Sequence, residues 1–122
     1  MKIISWNVNG IRAVERKELF QPFLAEHNPD IVCLQETKAN REQVEIDLPG
    51  YIEYWHSAER KGYSGTAIFT KSEPLSIING FLPKVSKKFA PLEDQFGDPE
   101  REGRVLTAEY EDFYLVTCYT PN

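Results

Sequence analysis

The chain has 122 residues, a formal net charge of −5, and seven Phe, six Tyr and two Trp among 41% hydrophobic residues. That length suits one domain rather than two and allows one sizeable core. The negative charge argues against holding polyanions by bulk attraction. No apolar run approaches the ~20 residues of a membrane span, and no basic-then-apolar leader opens the chain, so a cytoplasmic protein is expected.

Three local basic clusters stand against the acidic background: Arg12, Arg16 and Lys17; Arg60 and Lys61; Lys84, Lys87 and Lys88. Ordinary solvated surface accounts for each of them taken alone. Cys33 and Cys118 both lie inside apolar, strand-like runs and read as two buried free thiols.

In chain order, KIISW at 2–6 is short, β-branched and apolar, and predicts a buried strand. NVNG at 7–10 breaks it. From Ile11 to His27 the pattern is helical, with Phe20, Phe23, Leu24 and His27 on one stripe. Pro22 inside that pattern predicts a kink or a division. Asn28-Pro29-Asp30 ends the helix. IVCLQ at 31–35 then predicts a second strand, apolar on both faces as central parallel strands are.

Strand, helix and strand in that order make a βαβ unit with a right-handed crossover. Its two strands are parallel, so their C-terminal ends share one sheet edge, where ligands of open α/β sheets collect. Asn7 ends the first strand and Glu36 ends the second. Asn40 and Gln43 have the spacing of a capping box and predict a short helix that stops at Pro49-Gly50. Five more strands are expected, at 51–57, 65–70, 75–79, 104–110 and 113–119, with Glu111-Asp112 as a two-residue hairpin connection. Residues 81–103 are polar, charged at both signs and rich in Pro and Gly, and read as a long functional or mobile loop. There is no internal repeat.

A carboxylate at a strand end is commonly a surface or capping residue. The Glu36 carboxylate and the Asn7 amide oxygen, brought from adjacent strand ends, also fit a hard cation such as Mg²⁺, which takes oxygen donors, keeps waters and needs one or two carboxylates plus a substrate phosphate. Cysteine and histidine do not cluster, which argues against zinc. Tyr119 is a second polar group at a strand terminus. It reads equally as a core ring with a solvated hydroxyl. Asn122 can be a turn former. RKGYSG at 60–65 reads either as a hairpin turn or as a loop that meets a phosphate backbone, with Tyr63 as the contacting ring.

SWNVNGIRA (5–13), PDIVCLQETK (29–38), GYSGTAIF (62–69), EGRVLTAEY (102–110) and CYTPN (118–122) occur in this order. Together they closely resemble the exonuclease III branch of abasic-site endonucleases, within the endonuclease/exonuclease/phosphatase superfamily. The resemblance covers essentially the whole chain. It implies an α/β fold: the N-terminal half of a four-layered α/β sandwich, residues 1–122, with a mixed sheet, an outer helix and one apolar sheet face that needs a partner.

The resemblance also implies roles. Glu36 matches the metal-binding glutamate, Asn7 an asparagine of the metal site, Tyr119 the tyrosine facing the scissile phosphate, and Asn122 an asparagine near it. Arg12, Ala13 and Lys17 fall where the family contacts DNA backbone. Gly62 and Tyr63 fall where a loop enters the minor groove, and Lys38 sits beside the metal glutamate. The implied cofactor is Mg²⁺, with Mn²⁺ as the substitute. The implied partner is double-stranded DNA with abasic sites or 3′ ends, met by an intracellular, nucleoid-associated enzyme.

Family members are considerably longer. They carry a Gly-Asp-x-Asn motif and a closing Asp-His pair that have no counterpart here, so the chain by itself is expected to be inactive. Its bare apolar face is expected to be covered by a second copy or by the other half of the enzyme. Two rivals stay open: a phosphatase or lipid phosphodiesterase of the same superfamily, and a non-catalytic fragment or split subunit.

Overall fold

A computed structural model of the chain describes residues 1–91 and 93–122. In chain order it contains β1 (Ile3–Asn7), α1 (Ile11–Arg16), α2 (Phe20–His27), β2 (Ile31–Gln35), a 3₁₀ turn (Arg41–Gln43), β3 (Ile52–His56), β4 (Thr66–Thr70), β5 (Ser76–Ile78), α3 (Pro83–Lys88), β6 (Val105–Glu109) and β7 (Tyr114–Cys118). The apolar β-branched runs of the sequence become strands, and β1 and β2 pair in parallel from Ile3–Ile31 to Asn7–Gln35. The βαβ unit is therefore present, and Asn7 and Gln35 stand side by side at its C-terminal edge.

The strands form two sheets. The larger has the order β1-β2-β4-β3, with β4 antiparallel to both neighbours, and the smaller is the antiparallel meander β5-β6-β7. One half of the sandwich was expected to supply one sheet; instead this stretch contributes strands to both. The cause is the alternation of side chains. On β2 and β4, Val32, Leu34, Ala67 and Phe69 face the helices and pack with Ile11, Val14, Phe20 and Leu24. Ile31, Cys33 and Ile68 face the other way and pack against Leu106 and Ala108 of β6. Strands buried on both faces need a cover on both, and β5–β7 provide the second. Phe20 and Phe69, both fully buried, meet edge to face at 5.5 Å and tie the helical layer to the larger sheet.

Several expectations are corrected. The helical stretch is divided, but not at Pro22. The break lies at 17–19, where Glu18 takes φ of 54° and ends α1. Pro22 sits in the first turn of α2, where a backbone N–H has no intrahelical partner to lose. The Asn40–Gln43 capping box forms, yet it closes only one 3₁₀ turn, because the chain after it is extended and buries Val44 and Ile46. The 81–103 segment is not a bare loop. It contains α3, and its later part is held down by Arg104, which is almost fully buried and pairs twice with Asp94 (3.0 and 3.1 Å) and once with the Gly97 carbonyl (2.8 Å). Cys118 is exposed; only Cys33 is buried, where loss of solvent pushes its thiol up to about 11. The uncovered apolar surface is not a whole sheet face. Within the sheets it lies on edge strands, with Ile3 on β1 46% exposed and Tyr114 and Val116 on β7 at 55% and 50%, while Leu19, Leu75 and Phe89 are exposed outside the strands.

Candidate functional site

The larger sheet brings four strand ends to one edge. Pairing aligns Asn7 with Gln35, Gln35 with Thr66, and Thr66 with His56. Glu36, the next residue after β2, projects there with the left-handed φ of 52°. Asn7 donates from Nδ2 to Glu36 Oε1 at 2.9 Å, while its own Oδ1 accepts the Asn9 N–H at 3.1 Å. The amide oxygen is thus engaged, and Asn7 orients the carboxylate. Lys38 Nζ lies 3.3 Å from Glu36 Oε2 and donates to Asn9 Oδ1 at 2.6 Å. From the side of the smaller sheet, Tyr119 stands near enough to Glu36 for each group to shift the other's titration.

These contacts set the charge state. Partial burial pushes the Glu36 carboxyl up, but donation from Asn7 and Lys38, the Lys38 charge and the Tyr119 hydroxyl outweigh it. The net effect is a carboxyl held below its ordinary value. The Tyr119 hydroxyl moves the opposite way: burial raises it first, and the nearby Glu36 carboxylate raises it further against the pull of Arg104. An ionised carboxylate beside a protonated phenol is the consistent state.

Asn7, Gln35, Glu36, Cys118, Tyr119, Thr120 and Asn122 line an open cleft of about 190 Å³. Asn122 is exposed on its rim. Other grooves are larger, including one of about 590 Å³ along Glu15, Gln21 and Pro22, but that one gathers no convergent polar chemistry.

Two loops are bonded to the Glu36–Lys38 turn by main chain. On one side the N–H groups of Gly10 and Ile11 donate to the carbonyls of Glu36 (2.7 Å) and Thr37 (3.0 Å), and Arg12 Nη2 donates to the Lys38 carbonyl at 3.2 Å. On the other, Thr37 and Lys38 donate to the carbonyls of Gly65 (3.2 Å) and Ser64 (2.8 Å). Thr37 is fully buried against Gly65, where φ is +92° and a Cβ would collide with its hydroxyl. The Gly62–Tyr63 loop and the α1 entry that carries Arg12 and Ala13 therefore flank the carboxylate as parts of one bonded strip. Tyr63 stacks under Arg60 at 5.2 Å, and the nearby Glu102 carboxylate pushes its hydroxyl up. Lys17 stands apart from this strip, exposed at the C-terminal cap of α1.

Among the described residues no three His, Cys, Asp or Glu side chains gather as a metal cage. One carboxylate beside a water-open cleft fits a hard cation that keeps its own waters and shares a substrate oxygen, and does not fit zinc. Reading the sequence missed Gln35, Thr66 and His56, which look like ordinary strand residues, and missed the Thr37–Gly65 contact. The available signal was a polar residue at the cleft end of each strand: Gln35 closes β2, Thr66 opens β4 and His56 closes β3.

An oriented carboxylate, an amide and a phenol thus meet outside the carboxyl ends of the parallel strands β1 and β2, where ligands of open α/β sheets collect. The sequence pattern of the Endonuclease/Exonuclease/phosphatase family matches residues 4–115, and the chain belongs to that family. It is 48% identical over 122 residues to an exodeoxyribonuclease of Bacillus subtilis, covering all of this chain and 43% of that protein. It is 41% identical over 127 residues to the DNA repair nuclease APEX1 of Danio rerio, of which it covers 36%. The crystal structure of the Xenopus laevis APE2 catalytic domain superposes with a TM-score of 0.73 at 31% identity, over the whole chain and 46% of that domain. The AP endonuclease of Leishmania major superposes with a TM-score of 0.73 at 32% identity, over 99% of this chain and 40% of that one. The chain spans less than half the length of these relatives.

Proposed function

We propose that this chain is the N-terminal half-domain of a metal-dependent DNA repair nuclease, one that hydrolyses phosphodiesters at abasic sites and at 3′ ends. The observation that carries the reading is the Glu36 carboxylate, kept ionised by Asn7, Lys38 and Tyr119 and flanked by the Arg12 and Tyr63 loops. The names of the relatives support the substrate: exodeoxyribonuclease, DNA repair nuclease and AP endonuclease. With a duplex DNA substrate, an intracellular, nucleoid-associated protein is the location this reading carries.

In this reading Glu36 is the chain's ligand for Mg²⁺, or for Mn²⁺ in its place, and Asn7 holds the carboxylate in the binding rotamer. What the cation supplies when bound is neutralisation of charge on the phosphoryl oxygens. Tyr119 stands beside Glu36 at rest and offers its hydroxyl proton to a phosphate oxygen once substrate is bound. Asn122 stands on the rim to donate to that phosphate. Arg12, Ala13 and Lys17 meet the DNA backbone, Lys38 adds a positive charge beside the carboxylate, and Gly62 and Tyr63 enter the minor groove. Such contacts position the duplex without reading its sequence.

Glu36 is the one carboxylate among the described residues that line the cleft. The group that activates the attacking water is therefore assigned to residues outside this stretch, and the chain alone is expected to cut poorly. The same outside half, or a second copy of this chain, is assigned to cover Ile3, Tyr114 and Val116. Sedimentation of a well-folded, dilute monomer that binds no aggregation-sensitive dye would contradict that cover. The function itself is tested on the complete protein containing this chain, with a duplex bearing one abasic site. Cleavage 5′ to that site, abolished by EDTA and restored by Mg²⁺, is expected. Hydrolysis of inositol phosphates with no cut in the duplex would overturn the reading.

A further inference from the structure

Glu36 reaches the cleft from the larger sheet and Tyr119 from the smaller one, so the spacing of the two sheets sets the spacing of the two groups. Most of the contact between the sheets is apolar: Ile31, Cys33 and Ile68 against Leu106 and Ala108. Apolar contact is non-directional and leaves lateral slip weakly resisted. At the cleft end the contact changes character. Gln35, Thr66 and His56 occupy consecutive strands at one level of the larger sheet, and all are buried. Each reaches the smaller sheet or the turn that leads into it. His56 Nδ1 bonds the Val105 carbonyl at 2.6 Å, Thr66 Oγ1 donates to the Gly103 carbonyl at 3.0 Å, and Gln35 Nε2 donates to Thr117 Oγ1 at 2.9 Å.

Gln35 differs from the other two. It is the one of the three that reaches β7, and its partner lies two residues before Tyr119. Its second amide proton goes to Ser5 Oγ on β1 at 3.0 Å. One planar NH₂ therefore joins β1, β2 and β7 at the residue preceding Glu36. A buried amide costs free energy unless its donors are used, so this geometry is strongly preferred over any in which β7 has slipped.

We propose that Gln35 is a positioning residue: by bonding Thr117 across the sheets it fixes the distance and register between Glu36 and Tyr119. The inference rests on the reading of Glu36 as a cation ligand. Misplacing a reacting group by about 1 Å can cost about 100-fold in rate. Arg12 and Lys17, assigned above to the DNA backbone, sit on α1 and its C-terminal cap, against the larger sheet and away from the Gln35–Thr117 bond, so they stay in place when it is removed.

The test uses Gln35→Met, which keeps the length and loses the donors; Thr117→Val, which loses the acceptor; and Thr117→Ser, which restores it. Mn²⁺ is titrated into each labelled chain while line broadening is followed at the Asn9 amide and the Tyr119 ring. The unsubstituted chain and Thr117→Ser should broaden both signals. Gln35→Met and Thr117→Val should broaden Asn9 at the same Mn²⁺ concentration and Tyr119 several-fold less. In the complete protein the same two variants should lose about 10-fold or more in kcat with KM little changed. Equal broadening of Tyr119 in all four chains would overturn the positioning role alone. Absence of Mn²⁺ broadening at Asn9 in the unsubstituted chain would overturn the metal reading and the inference with it. If Gln35→Met fails to fold, the Thr117→Val and Thr117→Ser pair gives the same decision.

Discussion

The space between the two sheets has an apolar end and a polar end, and the two do different work. Away from the cleft, Ile31, Cys33, Ile68, Leu106 and Ala108 are packed with almost no water contact, and their burial favours any compact arrangement that keeps them dry. At the cleft, Gln35, Thr66, His56 and Thr117 are just as buried but are satisfied only by particular partners at particular distances. The first end supplies cohesion. The second supplies a fixed separation, which a site assembled from both sheets requires. Between them lies a division of labour that substitutions can separate.

The largest effect is expected in the apolar layers. Phe69 is fully buried between Phe20 and Trp55, and Phe69→Ala removes that ring from both contacts. A loss of about 3–5 kcal/mol in unfolding free energy is expected by urea titration. The fraction that remains folded should bind Mn²⁺ as before. A parallel loss of affinity in the folded fraction would mean that core and site are not separable.

Glu36→Gln should do the reverse. Mn²⁺ affinity by calorimetry should fall about 100-fold or more, while the melting temperature falls less than in Phe69→Ala, because Glu36 lines the cleft and belongs to neither core cluster. The same carboxylate predicts a pH dependence. Its folded-state pKa is depressed, so it stays ionised through neutral and mildly acid pH. Affinity should hold until the pH drops below the ordinary Glu value of about 4.3, and be lost below that. Loss beginning above that value would place the proton on a different group.

A smaller, mixed effect is expected at the seam between the two regions. Gly65→Ala forces an L-residue to φ of +92° and drives a Cβ into the buried Thr37 hydroxyl. A cost of about 1–3 kcal/mol in stability is expected. Because Thr37 follows Glu36 and donates to the Gly65 carbonyl, Mn²⁺ affinity should fall in the same variant. A drop in stability alone would show that the Tyr63 loop and the carboxylate are not mechanically joined.

Much of this architecture was legible in the residues. Apolar β-branched runs place the strands, and the βαβ unit alone puts Asn7 and Glu36 on one edge, where their side chains indeed meet. The second sheet was not legible, because strand pairing is decided by partners distant in sequence. β4 could have continued into β5, yet the two end in different sheets. Pro22 misled because its effect depends on its position within a helical turn, which Glu18 sets by ending α1 early. Gln35 was read as the last residue of an apolar strand. Nothing local distinguishes a polar residue that turns to solvent from one that spans to another sheet; only the tertiary position of Thr117 does. Arg104 was hidden for the same reason, since its partner Asp94 lies in a segment with no periodicity.

The central claim is that Glu36, held by Asn7 and faced by Tyr119, binds a divalent cation between the two sheets. A crystal of the chain soaked in Mn²⁺ and measured at the manganese edge tests it most directly. The account predicts one anomalous peak at about 2.1–2.2 Å from a Glu36 carboxylate oxygen, on the side facing Tyr119, its other ligands mostly water. A peak at another carboxylate, or full Mn²⁺ occupancy unchanged in the Glu36→Gln crystal, would contradict it.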